Sequence, residues 1–255
     1  MHRFYVDGLD ATDRSISLDG SIARQLKKVL RADVADHIRL FDGSGSEWEV
    51  EIDHVGKNEV STTLISAVQP AAEPASKVTM MLGLAKPERI ELAIQKCTEI
   101  GAVRFIPVMS ERVQGGNTGA PSDKRLERWQ RIAIEASEQS GRATVPIVEA
   151  PTPLMDAIQP IINEQPLLCM WEELVDESKP LRQVLQSIDT DSQQLAALIG
   201  PPGGFSVDEA TSMREAGAHL VTLGSRVLRS ETAAITVISA ILYELGDLGS
   251  LNITA

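Results

Sequence analysis

Two glycine-bearing turns near the carboxyl end hold the residues best suited to chemistry. Ile199 to Phe205 reads IGPPGGF, between an apolar run (Leu195 to Ile199) and a helix-start signal at Ser206, and Leu223 to Ala234 reads LGSRVLRSETAA. Each is a strand end running into a turn and then a helix, which is how an open α/β sheet builds a small-molecule pocket at its carboxyl edge. Gly200, Gly203 and Gly204 remove side chains where the backbone bends, so a ligand can approach main-chain N–H and C=O groups. Pro201 and Pro202 stiffen the same bend. Such a cradle suits the flat edge of an adenine; by itself, the motif also reads as a tight turn with no ligand. No G-x-G-x-x-G follows the first strand and no G-x-x-x-x-G-K-[ST] occurs, so dinucleotides and nucleoside triphosphates lack their usual signatures.

The elements that must position these turns follow from hydrophobic rhythm. The first seventy or so residues alternate in short segments: HRFYV, SISL, HIRLF, EWEVEIDHV and EVSTTLISAV. Trp48, Val50 and Ile52 against Glu47, Glu49, Glu51 and Asp53 have period two, which predicts a half-buried strand with the apolar set inward. Gly43-Ser44-Gly45 reads as a hairpin turn, and Ser21 to Arg31 as the one helix of a small β-rich domain. Gln69 to Ser76, QPAAEPAS, has no periodicity and reads as the linker.

Strands and helices then alternate. VTMMLGLA is a strand; Pro87 opens a helix in which Ile90, Ala93, Ile94, Cys97 and Ile100 recur until Gly101. RFIPVM is a strand, Ser122 opens a helix to about Gln139, PLLCMW is a strand, Leu181 to Ile188 a short helix and LAALIG a strand. Ser206 and Glu209 form an S-x-x-E capping box for a helix ending at Gly217, HLVTLG is a strand, and Glu231 to Leu245 is a long last helix. Repeated βα units imply a mostly parallel sheet with helices on both faces. The last helix is apolar around nearly its whole circumference, so it must be covered on all sides, by the core and, as one solution, by a second subunit.

Composition bounds the partners without choosing one. The chain has 255 residues, 43% of them apolar, with a net charge of −12. No window approaches a membrane span and no signal sequence opens the chain, so a cytoplasmic location is expected, with no membrane partner. Cys97 and Cys169 have no second Cys or His at metal spacing; both are expected in the core, and no metal is expected. An acidic chain is a poor polyanion binder on average, but Arg24, Lys27, Lys28 and Arg31 form one local basic cluster and Lys124, Arg125, Arg128 and Arg131 another. Each is either a solvated helix face or an RNA-facing patch.

IGPPGGF and LGSRVLRSETAA do not stand alone. Together with EQSGR (Glu138 to Arg142), SERV (Ser110 to Val113), ELAIQKCTEIG (Glu91 to Gly101), VLR (Val29 to Arg31) and FDGSG (Phe41 to Gly45), and with an order and spacing along the chain that match over essentially its whole length, they resemble the RsmE family. These are small-subunit ribosomal RNA methyltransferases of the SPOUT superfamily. The resemblance implies a PUA-like RNA-binding β-barrel domain at 1–72 and a dimerising SPOUT α/β domain at 73–255, with a mostly parallel sheet and a trefoil knot. It implies S-adenosyl-L-methionine as cofactor, bent in the knot and held by three loops: Leu168, Met170 and Trp171; then Ile199, Gly200, Pro201, Gly203 and Gly204; then Leu223, Gly224, Val227, Leu228, Thr232 and Ala233. The implied reaction is methylation of ring N(3) of a uridine in 16S ribosomal RNA, with the RNA or the 30S subunit as partner and a homodimer as the working form.

The imide nitrogen of uracil is a weak nucleophile until its proton leaves, so the site needs a base, or a cation that stabilises the imidate. Arg229 is the candidate for charge developing on a uracil oxygen, and Glu231 for the base or for the group that orients that arginine. A purely structural Arg–Glu pair holding the turn is the competing reading. Arg112, Gln139 and Arg142 come from the other motifs and are expected to contact RNA or line the substrate cleft, and Arg24 and Arg31 to hold phosphates. The chain departs from the family pattern at Pro202, where Glu is usual, and near Gln25 to Leu26, where a His is common. Two alternatives follow: a catalytically impaired RNA-binding or assembly protein, with Pro202 as the lesion, or a ribose 2′-O-methyltransferase, whose third motif is typically Ser-Leu-Asn rather than SETAA.

Overall fold

Period-two alternation in the N-terminal part becomes five strands: β1 (Arg3–Tyr5), β2 (Ser15–Leu18), β3 (His37–Phe41), β4 (Glu47–Val55) and β5 (Val60–Val68). The computed structural model describes residues 1–9, 14–71, 73–112, 123–171, 178–188 and 193–249. It divides into two compact units, one of Met1–Ala72 with Ser137–Val145, the other of Glu73–Ala136 with Pro146–Ala255.

In the first unit the strand order is β1-β3-β4-β5-β2, with β1 parallel to β3 and the other pairs antiparallel. Phe4, Leu18, Leu26, Leu40, Val50 and Ile52 fill its core. The inward set of β4 differs from simple alternation. A register shift between Glu49 and Val50 inserts a bulge, and across a bulge the side-chain parity inverts. Val50 and Ile52 therefore point inward as expected, while Trp48 is only half-buried and Glu47 is 2% exposed. That buried carboxylate is matched. Arg3 grips both its oxygens at 3.0 Å, lies 4.8 Å over the Phe41 ring and donates to the carbonyls of Ser137, Glu138 and Arg142, each at 3.1 Å. Arg3 thus satisfies carbonyls at a helix C-terminus, where a cation is favoured. β3 and β4 form the expected hairpin, its Asp42 carboxylate accepting from the Ser44 N–H at 2.9 Å.

The N-terminal helix is not one regular piece. α1 (Gly20–Arg24) runs into a π-helical stretch, Gln25–Leu30, which ends at Arg31 in a left-handed conformation, φ 52°. The wider turns keep Leu26 fully buried and leave Arg24, Lys27, Lys28 and Arg31 exposed.

The second unit contains the expected alternation together with further elements: β6 (Lys77–Gly83), α2 (Pro87–Ile100), β7 (Arg104–Met109), α3 (Asp123–Ser140), β8 (Ile147–Val148), β9 (Thr152–Pro153), α4 (Leu154–Glu164), β10 (Leu167–Met170), β11 (Lys179–Pro180), α5 (Leu181–Leu185), β12 (Gln194–Ile199), α6 (Val207–Ala216), β13 (His219–Thr222) and α7 (Ser230–Glu244). Of these, β8, β9, α4 and β11 are not predicted by the sequence reading. The expected helix start at Ser122 lies outside the described residues, and the last turn of α3 belongs to the first unit. Every strand pair is parallel, in the order β11-β13-β10-β12-β6-β7-β8, with β9 beside β7. Helices cover both faces, α2 packing on α7 and α4 on α6. Leu167, Cys169, Leu198, Ile158 and Met213 meet in the core beneath α4 and α6.

α4 has no counterpart in the sequence reading. Pro153 and Pro160 look like breakers, yet the helix starts directly after Pro153 and carries Pro160 internally. Its Leu154, Ala157, Ile158 and Ile161 bury a continuous stripe, and that burial outweighs the lost backbone hydrogen bond. The linker is also less free than its composition implies. Asp247 accepts from the N–H groups of Ala75 and Ser76, each at 2.9 Å, and Pro74 sits against Gly101. Among the described residues no helix is long and apolar enough to cross a membrane, and no cluster of His, Cys, Asp and Glu could hold a metal.

Candidate functional site

Four parallel strands end in one row. Leu82 of β6 stands opposite Ile199 of β12, Ile199 opposite Met170 of β10, and Met170 opposite Val221 of β13. The segments that follow β10, β12 and β13 all leave from this edge, and together they line a cavity of about 240 Å³.

The middle turn is tight. The Gly204 N–H donates to the Pro201 carbonyl at 2.8 Å, and Gly204 has φ 68°, a conformation that disfavours any side chain. Its outer side is fixed by α6. The Ser206 hydroxyl and the Glu209 carboxylate close the predicted capping box, and the second Glu209 oxygen accepts from the Glu111 N–H at 2.8 Å. Arg112 donates to the carbonyls of Gly203 and Phe205, each at 3.3 Å, so the segment after β7 braces the glycine turn. From behind, the turn is pressed by a residue the sequence reading passed over. A Cβ placed on Gly83 would stand 2.4 Å from the Pro201 nitrogen. In the third turn the Thr222 hydroxyl accepts from the Gly224 N–H at 3.1 Å.

Most of the expected cofactor residues meet at this cavity. Met170, Trp171, Ile199, Gly200, Pro201 and Gly204 line it, as do Leu223, Gly224, Val227, Leu228 and Ala233. Three do not. Leu168 is fully buried in β10, two residues short of the strand end; Gly203 is set against Arg112; and Thr232 is exposed on α7. Pro202, Arg226 and Ser230, which stand within the two motifs, also line it, and Arg89, Val221 and Thr222 line it from outside them. Val221 and Thr222 directly precede the second motif, so extending it by two positions would have found them. Arg89 comes from α2, which sequence distance hides.

A small polar ligand with a flat apolar part fits this lining. Gly200, Gly204 and Gly224 line it without side chains, and Met170, Ile199 and Leu228 line it with apolar ones. Trp171 is 5% exposed, and its indole Nε1 has no hydrogen-bond acceptor among the described residues. A buried donor without a partner is a costly arrangement that an incoming acceptor would relieve.

Charged groups stand at the mouth. Arg229, the N-cap of α7, is exposed, lines the cavity and has no ion pair among the described residues. Glu231, the second residue of α7, is directed elsewhere: its Oε2 is 3.9 Å from Arg89 Nε and accepts from the Ser230 hydroxyl at 3.2 Å. At the far end of β13, burial and then the charge of Lys179 hold His219 below the usual imidazole range, and burial pushes the Cys97 thiol far up. Neither group lines the cavity.

The expected RNA contacts divide. Arg24, Arg31, Arg112 and Gln139 are exposed, whereas Arg142 is 6% exposed. Arg24 is bonded through Nε to the Gly20 carbonyl at 3.0 Å.

Known proteins share this architecture. Residues 72–242 match the RNA methyltransferase domain family, and residues 18–65 match the RNA methyltransferase PUA domain. The chain is 31% identical over 244 residues to ribosomal RNA small subunit methyltransferase E of Rickettsia conorii, covering 94% of each protein. It is 31% identical over 232 residues to the Bacillus subtilis protein of that name, covering 90% of each. Among solved structures, the Neisseria gonorrhoeae ribosomal RNA small subunit methyltransferase E bound to S-adenosyl methionine superposes with TM-score 0.84 at 31% identity, over 95% of this chain and 97% of that one. A Legionella pneumophila methyltransferase in complex with the same cofactor superposes with TM-score 0.82 at 28% identity, over 94% and 96%.

Proposed function

This chain belongs to the ribosomal RNA small subunit methyltransferase E family, and on that premise we propose that it methylates ring N(3) of a uridine in 16S ribosomal RNA. The observation that carries this reading is the row of aligned strand ends, from which the three turns named by the motifs converge on one cavity. S-adenosylmethionine, when bound, supplies the methyl group on a cationic sulfonium. Gly200, Gly204 and Gly224 would present backbone to it, Met170, Ile199 and Leu228 apolar surface, and Trp171 an indole N–H that has no acceptor among the described residues.

Uncharged backbone is a sensible cradle, because the sulfonium charge vanishes during transfer and the protein's main task is alignment. Arg229 faces the cavity from the N-cap of α7 and serves as the cation for charge developing on uracil oxygen. Glu231 acts from the same helix start, by the arginine contact described above. Arg112 braces the glycine turn and, being exposed, also meets RNA, together with Gln139. Arg24 and Arg31 hold phosphates from the first unit, and such contacts position the RNA without reading its sequence.

The working form is a homodimer, and the C-terminal part is knotted. Support for the dimer comes from α7, whose Thr232, Thr236 and Tyr243 remain exposed while its other face is buried, beside a groove of about 480 Å³ lined by Leu181, Leu185, Leu223 and Ala240. Support for the knot is the order β13-β10-β12, which requires the segment between β12 and β13 to cross β10. The test of function is mass-spectrometric mapping of methylated uridines in ribosomal RNA from cells with and without this gene. One uridine should lose its N(3) methyl group when the gene is absent, and identical maps would overturn the proposal.

A further inference from the structure

We infer that Arg89 is a second catalytic cation of the reaction proposed above, on which this inference rests, and that Glu231 is the carboxylate that holds it in position. Methylation at N3 begins when the N3–H proton passes to solvent. The N3 electron pair then forms the bond to the methyl carbon, the C–S pair stays on sulfur, and the donor leaves as a neutral thioether. Before transfer, the negative charge of the imidate spreads over the two carbonyl oxygens that flank N3. One cation meets one oxygen, so a site built to stabilise this species presents cations from two directions.

Arg229 reaches the cavity from α7, and Arg89 lines the same cavity from α2. Its place in α2 is otherwise awkward. It is the third residue of that helix, where the aligned peptide dipoles repel positive charge. Glu231 removes this penalty. It is 12% exposed in its side chain, lies 3.9 Å from the Arg89 Nε as an ion pair, and accepts a hydrogen bond from the Ser230 hydroxyl at 3.2 Å. Glu231 also lines a recess of only about 10 Å³ beside the cavity rather than the cavity itself, whereas Arg89 lines both. The carboxylate is therefore set back behind the guanidinium: Glu231 is a positioning residue, and Arg89 is the group presented to the base.

The test compares small-subunit ribosomal RNA transcribed with uridine or with 5-fluorouridine, whose fluorine acidifies N3–H and lessens the need for a cation. Arg89→Ala should slow methylation of the ordinary transcript by about 10²-fold, and the deficit should shrink on the fluorinated one. Arg89→Lys should retain most of the rate, and Glu231→Gln should give a smaller deficit that narrows in the same way. A readout without turnover is the fluorine NMR titration of 5-fluorouridine 5′-monophosphate. The pH midpoint of its N3 ionisation should be lower on the wild-type protein than free in solution, and should return toward the free value with Arg89→Ala. A wild-type rate in Arg89→Ala, an equal deficit on both transcripts, or an unmoved midpoint overturns the assignment. Should Arg89→Ala fail to fold, Glu231→Gln carries the same comparison. Wild-type protein that methylates neither transcript, whether naked or assembled into small subunits, overturns the function itself.

Discussion

Gly83→Ala is the sharpest perturbation of this site, because it adds one methyl group that never touches the ligand. The added Cβ would lie 2.4 Å from the Pro201 nitrogen, 2.7 Å from its Cδ and 2.8 Å from the Gly200 carbonyl carbon, where ordinary contact begins at 3.4 Å. The glycine turn must therefore retreat by about 1 Å, and the atoms in the way are backbone and a proline ring, which cannot rotate aside. Overpacking of this kind costs about 1–3 kcal/mol, against a total stability of about 5–15 kcal/mol for a typical domain, so the protein stays folded. A misplacement of about 1 Å at the cradle should still lower turnover by about 10²-fold. Calorimetric titration with S-adenosylmethionine should show the lost affinity, while a denaturant melt shows only the modest loss of stability. Affinity within twofold of wild type, in a variant of unchanged fold, would refute the claim that β6 sets the height of the turn.

Three further outcomes are expected. Arg229→Ala should abolish methylation with its melting temperature unchanged, since the side chain is exposed and has no ion pair among the described residues; retained turnover removes it from the mechanism. Asp247→Asn should destabilise the protein by about 1–2 kcal/mol at neutral pH, a low figure because the carboxylate is largely solvent-screened. Although burial acts to raise the pKa of Asp247, its bonds from Ser76 and Ala75 hold it below the usual carboxylate value of 3.8. Its contribution is then fully present above that value and lost as pH falls through the folded-state value, so wild type and Asp247→Asn should converge in acid melts and separate again above it. RNA affinity should fall steeply with added salt, with a slope set by a few phosphate contacts; a flat response in filter binding would reduce the basic cluster of Arg24, Lys27, Lys28 and Arg31 to a solvated face.

Where local signals are strong, they survive folding. The capping box at Ser206 and Glu209, the stop at Gly101 and the strand ends at Ile199 and Met170 all depend on neighbours close in sequence, and each is visible there. What escaped depends on distant partners or on a single extra residue. The bulge after Glu49 inverts the facing of Glu47 and Trp48 without leaving any mark in the alternation. Pro160 hides α4, because a proline is weighed by its local penalty while the stripe it interrupts is stabilised by packing. Gly83 and Arg89 owe their importance to Pro201 and Glu231, more than a hundred residues away. The motifs name the loops, and only the parallel register brings the ends of β10, β12 and β13 into one row.

The chain has three tryptophans, and they sit in different surroundings: Trp48 half-buried in the first unit, Trp129 sealed in the core of the second, and Trp171 in the cavity wall. An indole whose N–H gains an acceptor changes its excited-state dipole, and so its emission. Trp171 is therefore an optical probe already installed at the binding site, and replacing the other two with phenylalanine would leave a molecule whose glow reports occupancy directly, without a label.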